Sequence, residues 1–212
     1  MGTPRYAIKW TSKLEGLKSI LKEVGERVEG NLVCDVSSDN IVMGENSDKI
    51  HNIEELAKGK SKICEIGVNA CHSLLFMLEV NPNADYLLFD LGNHAYTKPT
   101  LEYIKTEFPN TKIDIIYGDS KKTIPQAIFD NNELLHSFDL VHIDGGHEFF
   151  EFNSDFYNCR YLSTKNGVTI FDDYNYPHIK TFIDNRIKIE TITKYKNSNL
   201  YNTNKHFIYN FK

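Results

Sequence analysis

The side chains best suited to chemistry stand at two places. Asp144 and His147 lie in His142-Ile143-Asp144-Gly145-Gly146-His147, and Asp172 and Asp173 close Phe171-Asp172-Asp173. Each group follows an apolar run, and runs that become neighbouring strands would bring their acids together. Two carboxylates about 4 Å apart repel by roughly 4 kcal/mol at an effective dielectric of about 20. Such a cluster needs a cation, a shared proton or wide separation. Oxygen-only ligands suit Mg2+, which keeps waters and exchanges some for substrate oxygens. Asp144, Asp172 and Asp173 are therefore a candidate metal set; the plainer alternative leaves Asp172 at solvent and Asp173 capping the next helix. His147, on the rim of its turn, titrates near neutrality and could accept a proton from a substrate hydroxyl. Otherwise it packs against a cofactor or caps the helix that follows. His142 is expected inside its strand.

Another group of loops is suited to a nucleoside. Glu65-Ile66-Gly67-Val68-Asn69-Ala70-Cys71-His72-Ser73 has one glycine where a dinucleotide loop requires three, because Asn69 and His72 hold the second and third positions. NAD is disfavoured, since its pyrophosphate needs close backbone approach. A cofactor without phosphate needs only the first tight turn and donors for a carboxylate at the helix start. Asp90 in Phe89-Asp90-Leu91-Gly92, 23 residues after Gly67, stands where an acid would accept both ribose hydroxyls. Asp119 and Ser120, after Gly118, are placed to contact an adenine edge.

These residues require a scaffold that presents strand ends in one row. Short β-branched or aromatic runs recur at Lys62–Ile66, Tyr86–Leu91, Lys112–Tyr117, Phe138–Asp144 and Gly167–Asp172. They are nearly continuous in apolar character, as in strands covered by helices on both faces. Helix punctuation separates them. Thr97 with Pro99 opens a helix ended by Pro109-Asn110, Thr123-Ile124-Pro125-Gln126 reads as a capping box, and Glu148 to Leu162 carries helical spacing. Thr164-Lys165-Asn166-Gly167 reads as the turn into the fifth strand. Pro177–Asn185 reads as a helix, and Ile187–Tyr195 with Lys205–Phe211 as a closing antiparallel pair. Upstream, Leu14, Leu17, Ile20, Leu21, Val24 and Val28 form a helical stripe that could pack on its own domain or across a homodimer; Asn40–Ile50 reads as a loop or cover. The expectation is an α/β, doubly wound, Rossmann-like seven-stranded sheet, mostly parallel with the last strand antiparallel. It divides into a helical extension over 1–60, covering the acceptor, and a cofactor domain over 61–212.

Composition narrows the functions. The net charge is −5, from 24 basic and 29 acidic residues, so no basic excess exists for nucleic-acid binding. The longest aliphatic run, Leu74 to Leu78, is closed by Glu79, which excludes a membrane-spanning helix. Lys9, Ser12, Lys13, Glu15 and Lys18 break the only stretch that could serve as a signal peptide. Cys34, Cys64, Cys71 and Cys159 show no paired spacing and read as free thiols, which points to a cytoplasmic setting.

Taken in order, the five strand-end loops resemble the class I S-adenosylmethionine (SAM) methyltransferases. They are most similar to the group that includes the catechol, caffeoyl-CoA and macrocin-type O-methyltransferases. The resemblance covers about residues 60 to 185. It implies that Gly67, Asn69 and Ser73 hold the methionine part, Asp90 the ribose, and Asp119 with Ser120 the adenine, with Val68, Leu91 and Asp144 completing the cofactor contacts. Cys71 departs from the pattern, standing where many relatives have a second glycine, and is expected to narrow the methionine pocket. In metal-dependent relatives, acids at the positions of Asp144, Asp172 and Asp173 carry Mg2+. The macrocin-type enzymes set a histidine base beside such an aspartate, as His147 stands beside Asp144. The implied activity is Mg2+-assisted methyl transfer to a hydroxyl of a small acceptor, a sugar or other vicinal diol, with Asp144 and His147 catalytic. Tyr174, Tyr176 and His178 are candidate acceptor contacts.

Two further readings stand beside it: a SAM-binding module without catalysis, favoured by Cys71, and a metal-dependent hydroxylase built on His142-x-Asp144. Gly59-Lys60-Ser61 only mimics a phosphate loop, since Glu54 holds the required upstream glycine position and the motif precedes its strand.

Overall fold

The computed structural model describes residues 11–29 and 46–212; Cys34 and residues 40–45 of the expected loop lie outside them. Two helices, α1 (Ser12–Val24) and α2 (Ser47–Ala57), lead into the alternation β1 (Lys62–Ile66), α3 (His72–Val80), β2 (Asp85–Asp90), α4 (Thr97–Glu107) and β3 (Ile113–Tyr117). The chain continues through α5 (Ser120–Asp130), β4 (Phe138–Ile143), α6 (Phe149–Leu162), β5 (Ser163–Asp172) and α7 (Pro177–Lys188), and closes with β6 (Ile192–Lys194) and β7 (His206–Phe211).

Among the described residues the strands form one seven-stranded sheet in the order β3-β2-β1-β4-β5-β7-β6. The first five are parallel, and β7 runs antiparallel between β5 and β6. The doubly wound sheet expected from the strand rhythm is present. From β1 the chain winds outward to β3, then returns to place β4 on the other side of β1. That reversal opens a crevice at the carboxyl ends of β1 and β4, where ligands of open α/β sheets bind.

Strand side chains alternate between two buried layers. Ile63, Leu140, Val168 and Ile170 pack with α1 to α4, while Cys64, Val141, Ile143 and Phe171 pack with α5 to α7. The stripe Leu14, Leu17 and Leu21 of α1 joins the first layer, together with Ile50, Ile53 and Leu56 of α2. The N-terminal stripe thus packs within its own chain, with α1 lying against α4.

Four local expectations are corrected. Residues 47–57, partly read as loop, form α2, whose inner face carries Ile50, Ile53 and Leu56 at helical spacing together with the buried polar residues Lys49 and Asn52. Helix α5 starts at Ser120, because the Asp119 side chain accepts from Lys121 N at 3.1 Å and caps it there; Pro125 lies inside the helix. Thr164–Gly167 are absorbed into β5 as a bulge, since the register steps from Phe138–Ser163 to Leu140–Val168. Helix α7 runs on to Lys188, leaving only Ile192–Lys194 of the expected Ile187–Tyr195 strand.

Because Leu17 is fully buried in this layer, Leu17→Ala should lower the unfolding free energy by about 2–5 kcal/mol. Urea denaturation followed by circular dichroism measures it; a loss under about 1 kcal/mol would show that α1 lies outside the cooperative core.

Candidate active site

The crevice is a cleft of about 890 Å³, a size suited to a small-molecule or cofactor site. Every residue expected to bind cofactor, metal or proton lines it: Gly67, Val68, Asn69, Ser73, Asp90, Leu91, Asp119, Ser120, Asp144, His147, Asp172 and Asp173.

Its floor is laced backbone to backbone. Gly67 N donates to Phe89 O and Asp144 N to Ile66 O, both at 2.8 Å, so the ends of β1, β2 and β4 are tied together. Gly67 has φ +84°, and a Cβ there would overlap the Asp144 carbonyl. Only glycine lets the two strand ends pass this closely. The Asp90 carboxylate accepts from Val68 N and Asn69 N at 2.9 Å each and from Gly92 N at 2.7 Å. Asp90 therefore shapes the first loop, and three of its roughly four acceptor directions are spent on backbone. Ser73 donates its hydroxyl to Glu65, which also meets His142 Nδ1 at 2.9 Å. Asp155 of α6 is buried, and burial pushes its carboxyl up to about 6.

Cys71 does not narrow the cleft. It takes a left-handed conformation, φ +62°, at the start of α3 and turns its thiol into the core, 3.5 Å from Thr100 Oγ1. Burial pushes that thiol far above its ordinary range, so it is an inert packing group.

The acids divide differently from expectation. Asp173 has φ +58°, and its Oδ2 lies 2.6 Å from His147 Nε2. Asp144 and Asp172 lie side by side, with carboxylate oxygens within 4.8 Å of one another. Lys49 from α2 sits against them: its ammonium contacts Asp172 Oδ2 directly and stands 3.7 Å from Asp144 Oδ2. Burial works against the charge on Lys49, but Asp144 and Asp172 more than offset it and raise the lysine above its ordinary pKa. Asp172, despite burial, is held ionised by Lys49, whereas burial and the Asp172 charge push Asp144 up. His142, Asp144 and Asp172 each offer a ligand atom within 4.8 Å of the others, while Asp173 has left the set for His147. The expected three-aspartate cluster is therefore corrected to an aspartate pair neutralised by a lysine. As the residues stand they do not fit a divalent ion, because an ammonium occupies the charge-compensating position between the carboxylates.

His147 is half-exposed on the rim, with its ring 5.2 Å from that of Tyr176. The Asp173 hydrogen bond raises its pKa above the usual imidazole value, against the effect of burial. Tyr176 lines the cleft, but two other expected acceptor contacts do not. Tyr174 donates to Asp184 Oδ1 at 2.8 Å and lines a separate cavity, and His178 Nε2 donates to the His147 carbonyl at 3.0 Å.

SAM fits the cleft on one observation: Asn69 Oδ1 is buried at the wall without a hydrogen-bond partner, an acceptor open to a cofactor donor. Lys49 and Glu65 escaped sequence reasoning. Lys49 lies in no motif, and its only cue is a polar residue on the apolar face of α2.

A family model described as a methyltransferase domain matches residues 64–174. No curated protein matches the chain. Among solved structures, the O-methyltransferase TomG from Streptomyces achromogenes, involved in tomaymycin synthesis and in complex with SAM, superposes with a TM-score of 0.64 at 13% identity, covering 96% of this chain and 91% of that one. CalS11, a TDP-rhamnose 3'-O-methyltransferase in calicheamicin biosynthesis, gives 0.58 at 14% identity over 97% and 96%. A methyltransferase from Geobacter sulfurreducens gives 0.61 at 8% identity over 97% and 91%. At these identities the structures show a shared fold, and the family match carries the assignment. The chain belongs to the methyltransferase-domain family and is built as a class I SAM-dependent methyltransferase.

Proposed function

We propose that the protein transfers a methyl group from SAM to a hydroxyl of a small acceptor, a sugar or other vicinal diol, with His147 as the base. The observation that carries this reading is the His147–Asp173 pair on the rim of a cleft lined by every expected cofactor residue. Asp173 accepts from Nε2–H, so the neutral ring carries its lone pair on Nδ1. A carboxylate behind an imidazole fixes its tautomer and stabilises the imidazolium, the logic of histidine–aspartate pairs in acyl transfer. Bound SAM would supply an electrophilic methyl group. Gly67, Val68, Asn69 and Ser73 would hold its amino-acid part, Asp90 its ribose, and Leu91, Asp119 and Ser120 its base. The acceptor proton passes to His147 as the hydroxyl oxygen forms its bond to the methyl carbon, and positioning matters as much as proton removal.

The tilted Tyr176 ring beside His147 offers a flat apolar face to a sugar ring, and a sugar acceptor matches what CalS11 is named for. Mg2+-assisted transfer is a second reading, favoured by the ligand atoms of His142, Asp144 and Asp172; it requires Lys49 to withdraw. The hydroxylase reading loses its ground, because this sheet is open and doubly wound. The silent-module reading loses its motive, because Cys71 faces the core.

Two measurements test the proposal. S-adenosylhomocysteine should raise the melting temperature and NAD should not, while Asp90→Ala should remove most of the shift; a shift with NAD alone would overturn the cofactor. The second is the pH–rate profile. His147 must be neutral to accept a proton, and Asp173 raises its pKa. Activity should therefore fall as pH drops through a value above the ordinary imidazole pKa of about 6.5. Asp173→Asn keeps a residue that tolerates φ > 0 and should shift this acidic limb to lower pH while slowing turnover. A limb that stays in place would remove His147 from the mechanism. His147→Ala should cost about 10²–10⁴-fold in rate, with residual activity rising with pH.

A further inference from the structure

Helix α2 is held firmly against the sheet. Asn52 Nδ2 donates to Tyr201 O at 2.9 Å, Asn52 Oδ1 accepts from Tyr201 N at 2.8 Å, and His51 stacks on the Tyr201 ring at 4.3 Å. Asn52 also lies 3.0 Å from His206 Nε2, on the strand paired with Asp172. One helical turn before Asn52, Lys49 enters the bottom of the cleft with its side chain only 10% exposed. Its neighbours there are Asp172, 5% exposed, and Asp144, which at 27% opens onto the cleft. Behind them His142 is fully buried, with Nε2 lacking any hydrogen-bond partner. An ammonium fixed between two strand-end carboxylates balances charge where the resemblance to metal-dependent enzymes sets an ion.

We propose that Lys49 is the resident cation of this site in place of a divalent metal, and that its ammonium hydrogen-bonds the acceptor oxygen during methyl transfer. This inference rests on the methyltransferase reading. An ammonium has three donors and no acceptor; the bond to Asp172 uses one, leaving donors for an acceptor oxygen in the cleft. The proton balance is simple. The acceptor hydroxyl gives its proton to His147, its oxygen takes the methyl carbon, and the electron pair of the broken carbon–sulfur bond stays on sulfur. Lys49 remains protonated throughout and stabilises negative charge developing on the oxygen, the role of an electrostatic clamp. Asp172 and Asp144 hold the ammonium in place and act as positioning residues.

The test uses Mn2+ alone as the probe, titrated calorimetrically into the full chain, with S-adenosylhomocysteine binding measured in parallel. The wild-type protein should bind S-adenosylhomocysteine and give no stoichiometric Mn2+ binding at millimolar concentrations. Lys49→Met should uncover the carboxylate pair and tighten Mn2+ binding by roughly 10–100-fold, the range by which neighbours of metal ligands change affinity. Lys49→Arg keeps the charge and should remain silent towards Mn2+. One tightly bound Mn2+ per wild-type chain, lost in Asp172→Asn, would overturn the inference while S-adenosylhomocysteine binding left the methyltransferase reading intact. Absence of S-adenosylhomocysteine binding would instead strike that reading. Equal Mn2+ affinities in wild-type and Lys49→Met protein would also overturn the inference. Should Lys49→Met fail to fold, the wild-type and Lys49→Arg titrations decide the question.

Discussion

A lysine ammonium buried against two carboxylates joins the N-terminal helices to the working end of the sheet. Lys49 reaches Asp172 and Asp144 from α2, while Ile50, Ile53 and Leu56 of the same helix bury apolar surface on the sheet. The apolar contacts supply the net stabilisation, because desolvating an ion pair offsets most of its Coulombic gain. The ion pair determines how α2 sits. Removing one partner would leave an uncompensated buried charge, at about 3–5 kcal/mol. Helix α2 and the cleft end of the sheet are therefore mechanically one unit.

The same economy of charge extends sideways. Glu65 and His142 are cross-strand neighbours on β1 and β4, and Ser73 from α3 closes on Glu65. These side chains share the sheet face of Lys49, so a polar seam runs beneath the cleft inside an otherwise apolar layer. Burial opposes the positive charge of His142, yet the Glu65 hydrogen bond and the Asp144 charge raise its pKa overall. Glu65 Oε2 and His142 Nε2 lack partners, and buried polar groups left open in a native fold concentrate where ligands or ordered water complete them.

Three of the five described non-glycine residues with positive φ lie around the same place. Asn69, Cys71 and Asp173 all adopt positive φ, a conformation costing non-glycine residues of order 1–3 kcal/mol each. Asn69 and Cys71 shape the loop after β1, whose amides are gripped by Asp90. Asp173 uses its turn to face His147 while Asp172, the residue before it, faces Lys49. Consecutive acids thus serve two different partners.

The succession of strands along the chain and the residues at their ends were legible from local chemistry. Apolar runs bounded by Gly67, Asp90, Gly118, Asp144 and Asp172 can only be buried strands ending at one edge, and all the named end residues do line one cleft. What the chain could not disclose locally was how those ends pair. Asp172 and Asp173 look equivalent in sequence, but the end of a strand sends successive side chains to opposite sides, and the left-handed turn at Asp173 completes the separation. Lys49 lies 95 residues before Asp144, and although Ile50, Ile53 and Leu56 mark the buried face of its helix, nothing local pairs a lysine on that face with distant carboxylates. Cys71, Tyr174 and His178 each sit near the motif but turn away, because the direction of a side chain depends on backbone dihedrals and on packing neighbours far along the chain. Strand identity is a local property of burial and period; the partner of a charge is settled only when distant elements dock, because only then is water removed and each charge forced to find its counterion.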